Sequence, residues 1–314
     1  MDRLEAVAAR LIAVVGPTAS GKTDLALALA LAHDGEVVSC DSLQVYRGLD
    51  IGSAKPTPEQ RRAVPHHLID VADPDQEFSA AEYSRLARQA LGQIHGRGRV
   101  PIVAGGTGLY LRALLDGLFA GPCRDSGFRI RMEGIARRRG DAWLHRLLSR
   151  VDPEAAGRIQ VNDRVRVVRA LEVYRATGLS IVRHQQRAPE PLPGFEPLIV
   201  GIAPGRDRLR LRVEQRTAEM FERGLIEEVR RLLARGFSAE MRPLRAIGYR
   251  QAVAVVRGDL SLEAAHGAVV TATMRYAKRQ MTWFRHQASV SWHPDPDSAR
   301  AAAEAWLSAA RGRH

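Results

Sequence analysis

Short apolar runs alternate with helical patterns along the first third of the chain. Strand candidates lie at 11–15, 36–40 and 100–104. Apolar positions with helical spacing lie at 23–33, 79–96 and 108–116. This alternation predicts an α/β fold: a parallel sheet flanked by helices on both faces, with ligands at the carboxyl ends of the strands.

The pattern changes after residue 119. Charged amphipathic helices without strands are predicted up to a stretch that holds Pro189, Pro191 and Pro193. A strand pattern returns at 198–203, and helical patterns follow at 206–235, 243–256, 261–286 and 297–311. We therefore predict a core in two parts, 1–119 and 197–314, the second mostly helical and basic, with an all-helical insertion domain at 120–196.

A phosphate-binding loop joins the first predicted strand to the first predicted helix. It matches G-x-x-x-x-G-K-[ST] and consists of Gly16, Pro17, Thr18, Ala19, Ser20, Gly21, Lys22 and Thr23. Glycine lets successive N–H groups converge on phosphate oxygens, Lys22 adds a positive charge, and Thr23 offers a hydroxyl to Mg²⁺. The loop predicts a P-loop kinase-like sheet that binds a polyphosphate or diphosphate. It does not specify which phosphate compound is bound or which reaction is catalysed.

Two further candidates stand at the ends of predicted strands. Asp41 follows the second strand, where a carboxylate can accept a proton or hold Mg²⁺. The alternative is that Asp41 only caps a turn with Ser42. The run GGTG at 105–108 follows the third strand, so Thr107 could meet the same anion, although a simple turn also explains this run.

Cations occupy unusual positions on two predicted helices. Leu209, Val213, Arg216 and Met220 recur at helical spacing, which puts Arg216 on a stripe that should face the core. A cation there is costly unless it meets an anion, which is either a ligand or a buried Asp or Glu. On the helix at 261–286, basic residues form a face that either contacts solvent or meets nucleic-acid phosphates.

Charge is distributed unevenly along the chain. Residues 1–118 carry a net charge of −2 and residues 119–314 carry +14, within a total of +12. The C-terminal two-thirds is therefore expected to meet a polyanion, although solvated arginine-rich surfaces would give the same count.

Composition narrows the class further. The sequence has no apolar run of membrane-spanning length, and its N-terminus carries Asp2, Arg3 and Glu5 where a signal peptide would be apolar. We expect an intracellular, cytoplasmic protein with no membrane partner, acting as a monomer. Cys40 and Cys123 are expected to be thiols in a reducing compartment.

Motifs spread from residue 12 to about 286 resemble one family. They are GPTASGKT at 16–23, DSLQVY at 41–46, DIGSAKP at 50–56, HHLID at 66–70, GGTGLY at 105–110, EQR at 214–216, GYR at 248–250 and KRQMTW at 278–283. In this order they resemble the bacterial tRNA dimethylallyltransferases, and the ordered series is far more specific than the phosphate-binding loop alone.

The resemblance implies transfer of a dimethylallyl group from dimethylallyl diphosphate to N6 of adenosine 37 in the anticodon stem-loop of tRNAs reading codons that begin with U. Asp41 would accept the N6 proton, and Thr107 and Arg216 would complete the diphosphate clamp of the loop and of Mg²⁺ at Thr23. The implied tRNA contacts are Asp41, Ser42, Leu43, Gln44, Thr107, Arg129, Val165, Arg166, Val167, Val168, Arg169, Arg245, Gly248, Tyr249, Arg250, Lys278, Arg279 and Arg285.

Three alternatives stay open at this point. A P-loop kinase explains Lys22 and Asp41 but leaves the basic region without a role. A GTPase is disfavoured because N-K-x-D needs Asn before Lys, and Ala54 and Ala277 stand there. A prenyltransferase acting on free adenine nucleotide keeps the chemistry but does not explain the basic surface.

Overall fold

A computed structural model describes residues 8–119, 121–122, 124–186 and 190–311. Cys123, Pro189 and the charged N-terminal positions lie outside the described residues. The chain forms two compact units. The sheet unit comprises Met1–Leu115 and Leu192–His314, and the helical unit comprises Asp116–Pro191. The predicted insertion boundaries, 120 and 196, lie a few residues C-terminal to these limits.

The sheet unit contains the predicted parallel sheet. Its strands are β1 (Ala9–Val15), β2 (Gly35–Ser39), β3 (His66–His67), β4 (Val100–Ala104), β5 (Phe195–Ile202) and β6 (Ser291–His293). They run parallel in the order β3-β2-β4-β1-β5-β6. The α/β fold class is therefore confirmed, while the short edge strands β3 and β6 were not predicted.

Helices of the first half lie where the pattern predicts them, apart from one addition. They are α1 (Lys22–Ala32), α2 (Pro58–Ala63), α3 (Ala80–Gly96) and α4 (Gly108–Leu115). The helix α2 was not predicted. Thr57 starts it by accepting a hydrogen bond from the Gln60 N–H, while the Gln60 side chain returns to the Thr57 N–H.

The described residues of the helical unit form helices without strands, as predicted. These are α5 (Ser126–Arg139), α6 (Asp141–Val151), α7 (Pro153–Ala156), α8 (Arg164–Thr177) and α9 (Ile181–Gln186). The core of this unit includes Phe128, Leu144, Leu148 and Leu171.

The C-terminal part of the sheet unit contains α10 (Arg206–Glu222), α11 (Leu225–Ala234), α12 (Tyr249–Arg257), α13 (Leu262–Gln287) and α14 (Pro296–Arg311). The single helix predicted at 206–235 was wrong. Gly224 adopts φ +92° and separates α10 from α11, because glycine enters the left-handed region at little cost. The helix predicted at 243–256 begins instead as a 3₁₀ turn, Pro243–Arg245, before α12.

The sheet has a hydrophobic core on each face. On β1, Leu11, Ala13 and Val15 pack on one face, while Ile12 and Val14 pack on the other. Every one of these side chains is almost fully buried, as expected for a central strand of a parallel sheet. The described helices include none that is both long and apolar enough to cross a bilayer.

Candidate functional site

The phosphate-binding loop follows β1 and starts α1. Gly16 and Gly21 adopt positive φ, and a Cβ at Gly16 would clash with the carbonyl oxygen of Ile202. Lys22 Nζ donates a hydrogen bond to Pro17 O at 2.6 Å, so the ammonium curls back over the loop. The predicted strand, loop and helix context is confirmed.

Asp41 lies at the same edge of the sheet. Its Oδ1 accepts a hydrogen bond from the Leu43 N–H at 2.8 Å, which closes a local turn. The hydroxyl of Thr107 accepts a hydrogen bond from the Ser42 N–H at 3.1 Å. Thr107 therefore fastens the loop after β4 to the loop after β2, and Asp41 both forms a turn and faces the cavities described below.

Gln280, on α13, holds two of these loops together and was missed as a site residue. Its Oε1 accepts from the Thr18 N–H at 2.9 Å, and its Nε2 donates to Gly106 O at 2.9 Å. A Cβ on Gly106 would overlap that amide, so a larger residue there would displace Gln280. The available signal was a polar residue on the apolar side of a helix, between Ala277 and Phe284.

Two cavities meet at this edge of the sheet. The P-loop cavity is lined in part by Lys22 and Thr23, with Gly105 and Gly106 opposite. The larger cavity, about 340 Å³, has aromatic and apolar walls that include Phe78, Tyr110, Val213 and Met220. Both are lined by Thr18, Asp41, Ser53, Arg216 and Tyr276. The predicted base Asp41 and the predicted clamp residue Arg216 therefore stand at the junction of the two cavities.

The junction favours an anion. Burial and, to a smaller extent, the charge of Arg216 lower the pKa of Lys22 to about 7, although Asp41 acts in the opposite direction. Burial also lowers the pKa of Arg216, while the negative charges of Asp41 and Glu219 act to raise it. Lys22 and Arg216 both line the P-loop cavity, and a polyanion bound there would favour the charged form of each.

Tyr276 lines both cavities and is a second site residue that the sequence did not reveal. Burial and the charge of Asp41 raise its pKa to about 12, although Arg279 and Gln280 act in the opposite direction. The phenol is therefore neutral near pH 7 and stands at the junction as a hydrogen-bonding group. His66, which also lines the P-loop cavity, has its Nδ1 engaged with Val64 O at 2.7 Å.

Basic residues surround the larger cavity. Arg245 and Arg279, both predicted tRNA contacts, line it together with Arg242. The other predicted cations of this region, Arg250, Lys278 and Arg285, are exposed.

Three predicted tRNA contacts in the sheet unit are buried or are engaged with other groups of the protein. Tyr249 is fully buried, and its hydroxyl donates to Glu228 at 2.7 Å. Gly248 is buried at the start of α12. Gln44 Nε2 donates to Ser53 O and Ala54 O, and its Oε1 accepts from the Ser39 hydroxyl. The Gln44 amide is thus engaged within the protein rather than left to pair with a base edge.

In the helical unit, α8 divides the predicted contacts between two environments. Val165 and Arg166 are exposed, and the Arg166 guanidinium forms a 3.4 Å surface ion pair with Asp163. Val167 and Val168 pack in the core of the unit, which excludes contact with tRNA through these side chains.

Two other predicted tRNA contacts, Arg129 and Arg169, donate hydrogen bonds to the buried carboxylate of Glu172. Arg129 donates to it at 2.7 and 2.8 Å, and Arg169 at 2.5 Å. Burial opposes ionisation of Glu172, but hydrogen bonds from Arg129, Arg169 and the Asp125 N–H lower its pKa to about 2. Both guanidinium groups are thus directed at Glu172, whose single negative charge offsets one of their two positive charges.

The site suits a metal ion that takes few ligands from the protein and the rest from water or substrate. Within the described ranges, no group of three or more His, Cys, Asp or Glu side chains is arranged to hold a metal ion. Thr23 and Asp41 nevertheless line the same P-loop cavity and offer a hydroxyl and a carboxylate. Such a small set of oxygen donors fits Mg²⁺, which usually takes its remaining ligands from water and substrate phosphates.

Comparison with known proteins points to one family. The model of the family described as IPP transferase matches residues 44–287. The tRNA dimethylallyltransferase of Solibacter usitatus is 49% identical over 91% of this chain and 92% of its own length. That of Geobacter sulfurreducens is 47% identical over 90% of this chain and 91% of its own length.

Solved structures agree with these relatives. The full-length tRNA isopentenylpyrophosphate transferase of Bacillus halodurans matches with a TM-score of 0.69 and 39% identity, over 96% of each chain. A eukaryotic dimethylallyltransferase acting on tRNA matches with a TM-score of 0.74 and 26% identity, over 90% of this chain and 74% of its own.

Proposed function

The chain belongs to the IPP transferase family, and on that premise we propose that it transfers the dimethylallyl group of dimethylallyl diphosphate to N6 of adenosine 37 in the anticodon loop of tRNAs reading codons that begin with U. It is a tRNA prenyltransferase. The observation that carries the detailed reaction is the position of Asp41 at the junction of the P-loop cavity and the larger cavity, beside Arg216.

The P-loop cavity suits the donor. The bond that breaks joins C1 of the dimethylallyl group to a diphosphate oxygen, so negative charge develops on the leaving group. Lys22, Thr23 and Arg216 line this cavity, where the two basic groups would stabilise such charge. Mg²⁺ held at Thr23 would add a further positive charge to the same oxygens. A phosphate-binding loop can in this way serve an alkyl transfer without ATP.

The larger cavity suits the acceptor. An adenine that leaves its stack needs a pocket with aromatic and apolar walls, and Phe78 and Tyr110 contribute such walls. The attacking N6 must lose a proton, which the carboxylate of Asp41 would accept at the junction. Arg242, Arg245 and Arg279 at the same cavity are suited to the phosphates on either side of the displaced nucleotide.

Salt dependence of tRNA binding tests the helical unit. From sequence alone, Arg166 and Arg169 would each meet one phosphate. Because Glu172 engages Arg169 while Arg166 is 74% exposed, we expect Arg166→Ala to reduce the slope of log Kd against log salt by about one unit. Arg169→Ala should change that slope less. Filter binding over a salt series measures both, and the reverse ranking would contradict the assignment.

Acceptor choice separates this function from the alternatives. The protein is incubated with labelled dimethylallyl diphosphate, Mg²⁺ and unmodified tRNA, AMP or ATP. We expect label in tRNA and little in either free nucleotide. Equal labelling of AMP would favour a small-nucleotide prenyltransferase, and phosphorylated products without prenyl transfer would favour a kinase. The monomeric state and cytoplasmic location stay predictions.

A further inference from the structure

A buried carboxylate anchors one loop of the sheet unit. Glu228, on α11, is 3% exposed. Its Oε2 accepts from the N–H groups of Asp50 and Ile51 at 3.0 and 2.8 Å. Its Oε1 accepts from the Tyr249 hydroxyl at 2.7 Å and from the Gly52 N–H at 3.4 Å. These partners are neutral groups, and three of them belong to consecutive residues of one loop.

Packing holds the same loop, residues 50–54, against α12. The ring of Tyr249 covers Gly52 so closely that a Cβ there would overlap it. Just beyond the loop, Lys55 is also buried and donates to Tyr46 O at 2.6 Å, to Asp50 at 2.7 Å and to Asp70 at 2.6 Å. The 50–54 loop is therefore held by a buried anion on one side and a buried cation on the other.

The 50–54 loop forms a wall of both cavities. Gly52 and Ser53 line the larger cavity, while Ser53 and Ala54 line the P-loop cavity. The carbonyl oxygens of Ser53 and Ala54 also receive the Gln44 amide at 3.4 and 3.2 Å. Displacing the loop would thus alter the space where donor and acceptor meet.

We propose that Glu228 is a positioning residue for prenyl transfer: it fixes the 50–54 loop and thereby the approach of the two reacting atoms at Asp41. This inference rests on the proposed function. Glu228 itself lines neither cavity, so it acts through the loop. A change in the position of the 50–54 loop should slow the chemical step more than it weakens substrate binding, because the phosphate-binding loop would chiefly hold the diphosphate.

Glu228→Gln tests the anchor. Gln keeps the shape but directs an NH₂ group at donors that need an acceptor. In the variant we expect hydrogen exchange at the amides of residues 50–52 to rise at least about 10-fold while exchange in β1 and β4 stays unchanged. We expect kcat to fall by roughly 10–100-fold, with the KM for dimethylallyl diphosphate within about 3-fold. Glu227→Gln, an exposed neighbour on α11, is the matched control and should change neither quantity.

Tyr249→Phe gives a milder test. It keeps the ring over Gly52 and removes one of the four donors to Glu228, so exchange at residues 50–52 and kcat should change in the same direction by a smaller factor. Unchanged exchange at these amides in both variants would overturn the anchor. Faster exchange with unchanged kcat, or equally faster exchange throughout the sheet, would overturn the positioning role. The exchange measurement needs no substrate, so it remains decisive for the anchor if the proposed reaction fails.

Discussion

Asp41→Asn should reduce the single-turnover rate of prenyl transfer by roughly 10²–10⁴-fold while donor and tRNA still bind. Asn keeps the carbonyl oxygen that accepts from the Leu43 N–H, so the turn after β2 is retained. It removes the negative charge that would take the N6 proton. Rapid-quench measurement with enzyme in excess over tRNA isolates this step.

The control for this variant is Asp75→Asn, which changes an exposed carboxylate away from both cavities. It should leave the single-turnover rate unchanged. If Asp41→Asn instead abolishes tRNA affinity and the bound tRNA still reacts at the normal rate, Asp41 is a recognition residue and the proton-accepting role is wrong.

Lys22→Ala should lower turnover by about 10²–10³-fold, the scale of losing one preorganised group that stabilises developing charge. The Lys22 ammonium folds back to Pro17 O and shares the P-loop cavity with Arg216 and Thr23. Without Lys22, less positive charge surrounds the departing diphosphate to stabilise it. Steady-state rates with dimethylallyl diphosphate as the varied substrate measure the loss.

Arg62→Ala is a useful control for Lys22, because it removes an exposed cation on α2 that pairs with Glu59. Its turnover should match that of the unaltered enzyme. Normal turnover in Lys22→Ala would contradict the assignment of the P-loop cavity to the diphosphate.

Features that depend on contiguous residues could be predicted from the sequence. The phosphate-binding loop needs a strand before it and a helix after it, and both are read locally. Asp41 and Thr107 follow apolar runs, and parallel strands bring their carboxyl ends to one edge. Arg216 was identified by its conflict with an apolar stripe, and the structure brings it to both cavities.

Features that depend on pairing distant segments could not be predicted in the same way. Gln280 contacts Thr18 and Gly106, which lie more than 170 residues away in the sequence. Glu228, on α11, accepts a hydrogen bond from the distant Asp50 N–H. Nothing local specifies these partners. The strands β3 and β6 are too short for an alternating pattern to distinguish them from loops.

Motif membership also does not say which face of an element a residue occupies. On α8, Val165 and Arg166 are exposed while Val167 and Val168 are buried. Tyr249 lies in a motif beside the exposed Arg250, yet its side chain supports a loop from inside the protein. Side-chain burial, which is set by tertiary packing, decides between contact with a ligand and support of the fold.

The most direct test of the reaction uses an anticodon stem-loop with adenosine at position 37 and the same stem-loop with guanosine there. Each is incubated with the enzyme, Mg²⁺ and labelled dimethylallyl diphosphate, and the modified nucleoside is identified by mass spectrometry. We predict that both bind, that only the adenosine stem-loop acquires label, and that the label is on N6. Label on guanosine, on another atom of adenine, or on neither stem-loop would contradict the proposed reaction.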